Sequence, residues 1–200
     1  MSDHYFTSKP SVASDRSTWP FVLRGHPFQF TSDSGVFSKK EVDFGSRLLI
    51  ETFEEPEVDG PILDVGCGYG PIGLSLAREY TKRTIEMIDI NERALELSKE
   101  NAVLNKIDNV LIYKSDRLTN VKTEGFAVIL TNPPIRAGKK VVHDILEQSF
   151  ERLIIGGELW VVIQKKQGAP SAIDKLKSLF NEVTILEKKK GYYIIKSKKG

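Results

Sequence analysis

The sequence has one cysteine, two methionines, two tryptophans and three histidines in 200 residues, and it has no long apolar run. The single cysteine, Cys67, excludes an internal disulfide and a multi-cysteine metal site, which favours a reducing compartment. The three histidines have no partner at metal-ligand spacing, so we expect no metal. The longest apolar stretches have about five residues, whereas a membrane span needs roughly 18, and the N terminus has no signal-peptide core. We therefore expect a cytoplasmic protein with no membrane partner.

The total charge is nearly balanced, with 29 Lys and Arg against 27 Asp and Glu, but its distribution is uneven. Residues 51–130 carry 9 basic and 15 acidic side chains, whereas residues 131–200 carry 14 basic and 7 acidic ones. This asymmetry indicates different partners for the two segments, and the carboxyl third suits an anionic one. The 40% hydrophobic and 28% charged content is that of an ordinary globular domain.

Strand and helix patterns alternate from Pro61 onward. The strand segments read PILDVG, TIEMIDI, NVLIYKSD, FAVILTN, GELWVVIQ, EVTILEK and YYIIKSK, with helical segments between most of them and a short Lys/Gly turn before the last. Alternation of this kind predicts an α/β fold with a seven-stranded, mostly parallel sheet, helices on both faces and a C-terminal antiparallel hairpin.

Residues 1–60 precede this pattern, and we expect them to form an arm and a short β and helical extension packed on the core. Residues 21–38 carry short apolar stretches broken by Gly and Pro, which favours a small hairpin. Apolar residues recur at helical spacing between Val42 and Phe53, which predicts an amphipathic helix. We expect this extension and residues 61–200 to make one structural unit.

A glycine-rich turn, LDVGCGYG at 63–70, follows the first strand of the alternating region. Glycines at alternate positions let the backbone turn sharply and approach a ligand closely. Asp89 ends the next strand, where a carboxylate can accept hydrogen bonds from ribose hydroxyls. Residues 68–73 also satisfy the dinucleotide pattern G-x-G-x-x-G. NAD, another adenosine cofactor or a purely structural turn all remain open at this point.

The sequence TNPPI at 131–135 ends a later strand of the sheet. Two prolines fix the backbone, so the Asn132 amide and the Pro133 carbonyl project in set directions. These two oxygens can accept both N–H hydrogens of an exocyclic amine. A strand-terminating turn is the structural alternative, but carboxyl ends of strands are where open α/β sheets bind ligands. A group transfer to nitrogen needs such acceptors, whereas a hydride transfer has no evident use for them.

These motifs resemble those of class I S-adenosylmethionine-dependent methyltransferases that act on amine or amide nitrogens. The segments TSDSGVFS (31–38) and TNPPIRAGK (131–139) are similar to the "methyltransferase small" family, which includes the RsmC-type ribosomal RNA guanine-N2 methyltransferases. The resemblance runs from about Val22 to Lys199. It implies a Rossmann-like fold, S-adenosylmethionine as cofactor, and 61–200 as the catalytic domain.

The resemblance also implies roles for individual residues. The implied cofactor-binding residues are Phe37, Asp64, Gly66, Cys67, Gly68, Gly70, Asp89, Ile90, Asp116 and Asn132. Within this set, Asp64 would favour the methionine ammonium, Asp89 the ribose and Asp116 the adenine amine, while Phe37 would close over the cofactor. The implied catalytic residues are Asn132, Pro133, Pro134 and Ile135. For Cys67, a small residue filling the turn is the preferred interpretation over an activated thiol.

Ile135 departs from the family pattern, because many relatives have an aromatic residue there that stacks on the target base. Base stacking contributes about 1–3 kcal/mol, so either Ile135 packs the base less well or another ring, Phe28 or Phe30, substitutes. Next to it, Arg136, Lys139 and Lys140 are expected to contact substrate phosphate. The expected partner is ribosomal RNA or the small ribosomal subunit, and the expected oligomeric state is a monomer.

Other functions remain open from the sequence. The same chemistry on a protein glutamine or on adenine N6 would use the same acceptors, and Ile135 leaves that choice open. An NAD-dependent oxidoreductase would account for the glycine-rich turn and Asp89. A non-catalytic RNA-binding assembly factor that retains the fold would account for the basic carboxyl third.

Overall fold

The structure is a computed structural model that describes residues 13–36 and 41–200. Its helices and strands are β1 (Ser17–Leu23), β2 (His26–Ser32), α1 (Phe44–Thr52), β3 (Ile62–Val65), α2 (Pro71–Glu79), β4 (Ile85–Asp89), α3 (Glu92–Leu104), β5 (Val110–Lys114), β6 (Phe126–Thr131), α4 (Lys139–Arg152), β7 (Leu153–Gln164), α5 (Ala169–Leu179), β8 (Glu182–Lys189) and β9 (Tyr192–Lys198). Short 3₁₀ turns at Ile135–Ala137 and Lys165–Gln167 follow β6 and β7 closely.

The main sheet has seven strands in the order β5-β4-β3-β6-β7-β9-β8, which confirms the predicted Rossmann-like α/β fold. Strands β3 to β7 pair in parallel, and β9 is antiparallel to both of its neighbours. The strand order reverses between β3 and β6, so their carboxyl ends lie side by side, with Val65 opposite Thr131. The Thr131 hydroxyl donates to the Val65 carbonyl over 2.9 Å and ties these two ends together. Open sheets bind ligands at this kind of reversal.

Alternate side chains of each strand enter two different apolar clusters. Ile62 packs on the face covered by α1, α2 and α3, whereas Leu63 packs on the face covered by α4 and α5. Because both faces of the sheet are covered, the side chains on both sides of the central strands are buried, and these strands read as continuous apolar runs in the sequence. Among the described residues, every helix is too short or too polar to span a bilayer.

The N-terminal extension contains a hairpin and a helix. β1 and β2 pair antiparallel as a separate two-stranded sheet. The side-chain amides of Asn101 of α3 and of Asn105, which follows the end of α3, each accept from a backbone N–H and donate to a backbone carbonyl of β2, at Thr31 and Gln29. Helix α1 begins at Phe44 because the extended residue before it accepts a hydrogen bond from the first turn. The predicted Val42–Phe53 helix is confirmed with a later start.

Candidate functional site

A cavity of about 390 Å³ opens at the carboxyl ends of β3, β4 and β6. The residues predicted from the sequence that line it are Gly66, Cys67, Gly68, Asp89, Ile90, Asp116, Asn132, Pro133 and Pro134. The glycine-rich turn forms one wall and the Asn-Pro-Pro segment another, so motifs more than sixty residues apart in the chain meet in one space.

The glycine-rich wall exposes backbone to the cavity. Gly66 and Gly68 have φ angles of 76° and 58°, a left-handed conformation that favours glycine. A Cβ at either position would meet no other atom within 4 Å, so a side chain there would enter the cavity itself. Asp89 stabilises this wall, since its Oδ2 accepts from the Gly68 N–H and its Oδ1 from the Asn91 N–H, both at 2.9 Å. This wall fits a cofactor that lies directly against the backbone.

Gly70 lies at the start of α2 and does not line the cavity. Its φ is 104°, and an added Cβ would lie 2.8 Å from both Leu74 Cδ1 and Ser98 Oγ. The third glycine of the turn is therefore required by the close packing of α2 against α3.

Asp64 is fully buried beneath the turn and does not line the cavity. Its Oδ2 accepts from the Gly73 N–H at 2.8 Å, while Oδ1 has no hydrogen-bond partner among the described residues. Burial raises the pKa of Asp64 to about 7; the Gly73 N–H opposes this rise, and the negative charge of Asp89 adds to it. The predicted contact with the cofactor's ammonium group remains a prediction.

The raised pKa of Asp64 makes stability depend on pH. The unfolded carboxyl ionises near its ordinary value of 3.8, but the folded one ionises only near 7, so this group's contribution to stability falls as pH rises between them. Asp64→Asn keeps an acceptor for Gly73 and cannot ionise. The unfolding free energy of the variant minus that of the parent protein should therefore increase by about 2–3 kcal/mol from about pH 5 to about pH 8. Urea unfolding of both proteins across this range measures the difference. Parallel pH profiles for the two proteins would contradict the shift.

Asp116 lines the cavity from the loop after β5 and is paired with its neighbour Arg117. Arg117 Nε and Nη2 donate to the two Asp116 oxygens at 3.1 and 3.0 Å, and Nη1 donates to Asp144 of α4 at 2.7 Å. A carboxylate oxygen accepts more than one hydrogen bond, so Asp116 can still accept a hydrogen bond from the adenine amine of a cofactor. Arg117 also lines the cavity, and nothing in the sequence distinguishes it.

Asn132 is held by two residues of the N-terminal extension that were not predicted from the sequence. Its Nδ2 donates to Asp43 Oδ2 at 3.2 Å and to Ser46 Oγ at 3.0 Å. These bonds fix the orientation of the amide, because only the NH₂ group can donate to a carboxylate. Among the described residues no donor pairs with Asn132 Oδ1, which therefore remains as an acceptor on a residue that lines the cavity.

Asp43 could have been identified as the residue that caps α1, since an Asp before an apolar helical run is a start signal. The Asp43 Oδ2 atom accepts from the Ser46 N–H at 3.0 Å as well as from Asn132. The hydrogen bond between Asp43 and Asn132 joins residues 89 positions apart in the sequence, and no local sequence pattern indicates such a contact.

The residues after Asn-Pro-Pro divide between two spaces, and only some of them, such as Ala137, line the main cavity. Ile135 and Lys139 line a second recess of about 110 Å³, together with Gln167. Arg136, Lys139 and Lys140 are exposed, and their contact with phosphate stays a prediction.

The suggestion that Phe28 or Phe30 stacks on the target base is wrong. Both rings are at most 2% exposed, and they stack on each other with centroids 5.3 Å apart in the core under the hairpin. Alternation in β2 places them on its inner face, which the sequence alone did not distinguish from the outer one.

The TSDSGVFS segment lies only partly in the described chain. Asn91 Nδ2 donates to the Gly35 carbonyl at 3.0 Å and fastens this segment to the start of α3, so that Val36 lines the cavity. Phe37 lies outside the described residues. Asn91 also caps α3, as predicted, by accepting from the N–H groups of Arg93 and Ala94.

Burial raises the pKa of the Cys67 thiol, and the nearby carboxylates of Asp89 and Asp64 raise it further. The thiol therefore stays protonated at neutral pH, which favours its interpretation as a small residue filling the turn. Within residues 13–36 and 41–200, no cluster of three or more His, Cys, Asp or Glu side chains is suited to a metal ion.

Comparison with known proteins gives one family and several relatives. The family model described as "Methyltransferase small domain" matches residues 27–196. The Bacillus subtilis (strain 168) protein YbxB is 70% identical over 200 residues, the full length of both chains. Ribosomal RNA small subunit methyltransferase C of Actinobacillus pleuropneumoniae serotype 3 (strain JL03) is 37% identical over 145 residues, 70% of this chain and 44% of that protein.

Solved structures share the fold. The T. thermophilus 16S rRNA N2 G1207 methyltransferase (RsmC), in complex with AdoMet and guanosine, superposes with a TM-score of 0.83 at 24% identity, covering 96% of this chain and 52% of that one. A Pyrococcus furiosus methyltransferase superposes with a TM-score of 0.66 at 21% identity, covering 76% and 80%. At these identities the likeness shows the fold. The chain spans about half the length of the methyltransferase C relatives that it matches.

Proposed function

Because this chain belongs to the methyltransferase small domain family of S-adenosylmethionine-dependent methyltransferases, we propose that it methylates the exocyclic N2 amine of a guanine in 16S ribosomal RNA. The observation that carries the proposal is the Asn132 amide, held by Asp43 and Ser46 so that its carbonyl oxygen is left as an acceptor on the cavity wall. Guanine is favoured by the relatives, since the T. thermophilus enzyme is a 16S rRNA N2 methyltransferase bound to guanosine.

The cavity fits S-adenosylmethionine on structural grounds. Gly66 and Gly68 offer bare backbone on which a Cβ would occupy the ligand's space. Asp89 and Asp116, both on the cavity wall, are acceptors for the ribose hydroxyls and the adenine amine. When bound, S-adenosylmethionine supplies an electrophilic methyl group on a cationic sulfur.

The protein's own contribution is to hold and orient the target amine. Asn132 Oδ1 and the Pro133 carbonyl accept its two N–H hydrogens, and this concentrates the lone pair on a nitrogen from which it is otherwise delocalised into the ring. The Asp43 carboxylate strengthens the Asn132 acceptor, because hydrogen bonds in a chain polarise one another. Orientation of this kind accounts for much of the rate enhancement in a simple displacement.

The test is to incubate the protein with methyl-labelled S-adenosylmethionine and unmodified small ribosomal subunits or 16S RNA. The labelled nucleotide is then mapped by mass spectrometry. We expect label on N2 of one guanine. Label on an adenine or on a ribosomal-protein glutamine would overturn the guanine assignment and keep the chemistry.

A thermal-shift measurement separates the remaining alternatives. S-adenosylmethionine should raise the melting temperature and NAD should not, since an oxidoreductase would give the opposite result. A protein that binds RNA and S-adenosylmethionine but transfers no label at saturating cofactor would instead be a non-catalytic assembly factor.

A further inference from the structure

Exposed cations from three separate elements gather along the carboxyl edge of the sheet, beyond β7. They are Arg47 of α1, Lys165 and Lys166 of the turn after β7, and Lys188, Lys189 and Lys190 of the β8–β9 hairpin. We call these six residues the cationic edge. β8 runs parallel to β7, because each is antiparallel to β9, so the hairpin tip lies at the same edge as the cavity.

Side-chain and backbone contacts connect these elements to one another. Arg47 Cζ and Lys190 Nζ lie 5.6 and 4.9 Å from the centroid of the half-buried Phe44 ring. The Lys165 N–H donates to the Gly191 carbonyl of the hairpin tip at 2.8 Å. These contacts join α1, the turn after β7 and the tip of the β8–β9 hairpin into one packed edge.

The same surface is continuous with the candidate active site. Phe44 follows Asp43 directly in the chain, and Asp43 holds the Asn132 amide. On the other side, the turn that carries Lys165 and Lys166 ends at Gln167, which lines the recess beside Ile135. A polymer lying along the edge would pass the mouth of the cavity.

The cations of this edge form no ion pair with an acidic residue in the part of the chain that the structure describes. Some basic side chains elsewhere on the protein form ion pairs, as in Arg83–Glu55 and Lys114–Glu92. In the described chain no Asp or Glu forms an ion pair with any of the six residues of the cationic edge. Six uncompensated charges on one edge have a cost in mutual repulsion that an anionic partner would relieve.

Other lysines of the basic carboxyl third have structural roles. Lys199 Nζ donates to the carbonyls of Phe150 and Leu153 at 2.8 and 2.7 Å, and Lys196 lies 3.6 Å from Glu158. Lys196 and Lys199 lie far from the cavity because β9 runs from the hairpin tip towards the opposite edge of the sheet. The lysines of the carboxyl third, which look alike in the sequence, therefore fall into two groups: exposed lysines of the cationic edge, and lysines that bond other parts of the protein.

We propose that the cationic edge binds the sugar–phosphate backbone of an unpaired RNA segment and presents its target base to the cavity. This inference rests on the proposed function for the identity of the polymer. Exposed lysines on separate elements suit phosphates along a flexible strand, because each ammonium acts as an independent point charge. Backbone contacts of this kind set register without reading sequence.

The test compares two triple variants of the full chain. Arg47→Glu/Lys166→Glu/Lys189→Glu reverses one charge on each element of the cationic edge. Lys82→Glu/Lys122→Glu/Lys177→Glu makes the same charge change with exposed lysines at the opposite edge of the sheet. The affinity for a short fluorescein-labelled single-stranded RNA is measured by anisotropy between about 50 and about 200 mM salt, and S-adenosylmethionine binding by calorimetry checks folding.

We expect the first variant to bind RNA about 10- to 100-fold more weakly at about 100 mM salt, with a salt-dependence slope reduced by about 2, because each lost phosphate contact removes about 0.7. The control variant should change affinity by less than about threefold. Equal losses in the two variants would mean a general charge effect and overturn the proposal. Tighter binding of polyglutamate than of RNA would overturn it too, in favour of an acidic protein partner.

Methyl-transfer assays separate this proposal from the proposed function. If the first variant retains kcat and shows a raised KM for RNA, both stand. If its RNA affinity is unchanged while both proteins methylate guanine, the cationic edge is not the docking surface and the proposed function stands. If RNA affinity falls as expected but even the parent protein transfers no methyl group, the docking surface stands and the proposed function fails.

Discussion

Replacing Asn132 with alanine should lower kcat for methyl transfer by about 100- to 1000-fold, the effect typical of removing one positioned acceptor or donor at a reacting centre. The dissociation constant for S-adenosylmethionine should stay within about twofold of the parent value. The two effects separate because the Asn132 carbonyl oxygen has no donor among the described residues, and its expected partner is the target amine. Single-turnover rates with labelled cofactor and calorimetry measure the two quantities independently.

Two further variants sharpen this experiment. Ser46→Ala removes one of the two acceptors that hold the Asn132 amide and leaves Asp43 in place, so kcat should fall by only about 3- to 10-fold. Asn181→Ala removes an exposed amide at the opposite edge of the sheet and should change neither quantity. Near-normal turnover of Asn132→Ala would rule out the acceptor role.

Replacing Asp89 with alanine should weaken S-adenosylmethionine binding by about 100-fold, equivalent to about 2.7 kcal/mol. The variant lacks the carboxylate that is expected to accept from the ribose hydroxyls. It also lacks the acceptor that holds the Gly68 N–H of the glycine-rich wall at 2.9 Å. Bonds to a charged acceptor are about twice as strong as neutral ones, so the combined loss is large. Calorimetric titration measures it directly.

The matched control is Asp108→Ala, which removes an exposed carboxylate before β5 and should leave cofactor affinity unchanged. At saturating cofactor, kcat of Asp89→Ala should fall far less than that of Asn132→Ala, because the expected partner of Asp89 is the ribose of the cofactor and that of Asn132 is the target amine. An unaltered affinity in Asp89→Ala would contradict its expected role at the ribose.

The parts of this protein that were predictable depend on short-range patterns. Alternating strand and helix segments give the seven-stranded sheet, and Asn91 has the position and chemistry of a helix cap. The carboxyl edge of such a sheet then brings Gly66, Asp89 and Asn132 together by topology alone. Local periodicity and turn chemistry therefore account for most of the fold and most of the cavity wall.

The features that were not predictable depend on packing between distant segments. Asp64 lies one residue before the end of β3 and Asp89 ends β4, but only the structure shows that Asp64 is sealed beneath the turn while Asp89 reaches the cavity. Likewise, Lys190 and Lys199 belong to one lysine-rich stretch, yet the antiparallel course of β9 places them at opposite edges of the sheet.

Asp43 both caps α1 and holds the Asn132 amide, so the opening of the first turn of α1 affects the orientation of that amide. Its carboxylate accepts from the Ser46 N–H and from Asn132, and its carbonyl accepts from the Arg47 N–H at 3.0 Å. We therefore expect fraying of the first turn of α1 to release the amide, and the rate of methyl transfer to scale with the fraction of molecules in which that turn is closed. Hydrogen exchange at the Ser46 and Arg47 amides would then report this fraction. A substitution that stabilises the first turn of α1 should raise the turnover number even though the substituted residue lies outside the substrate site.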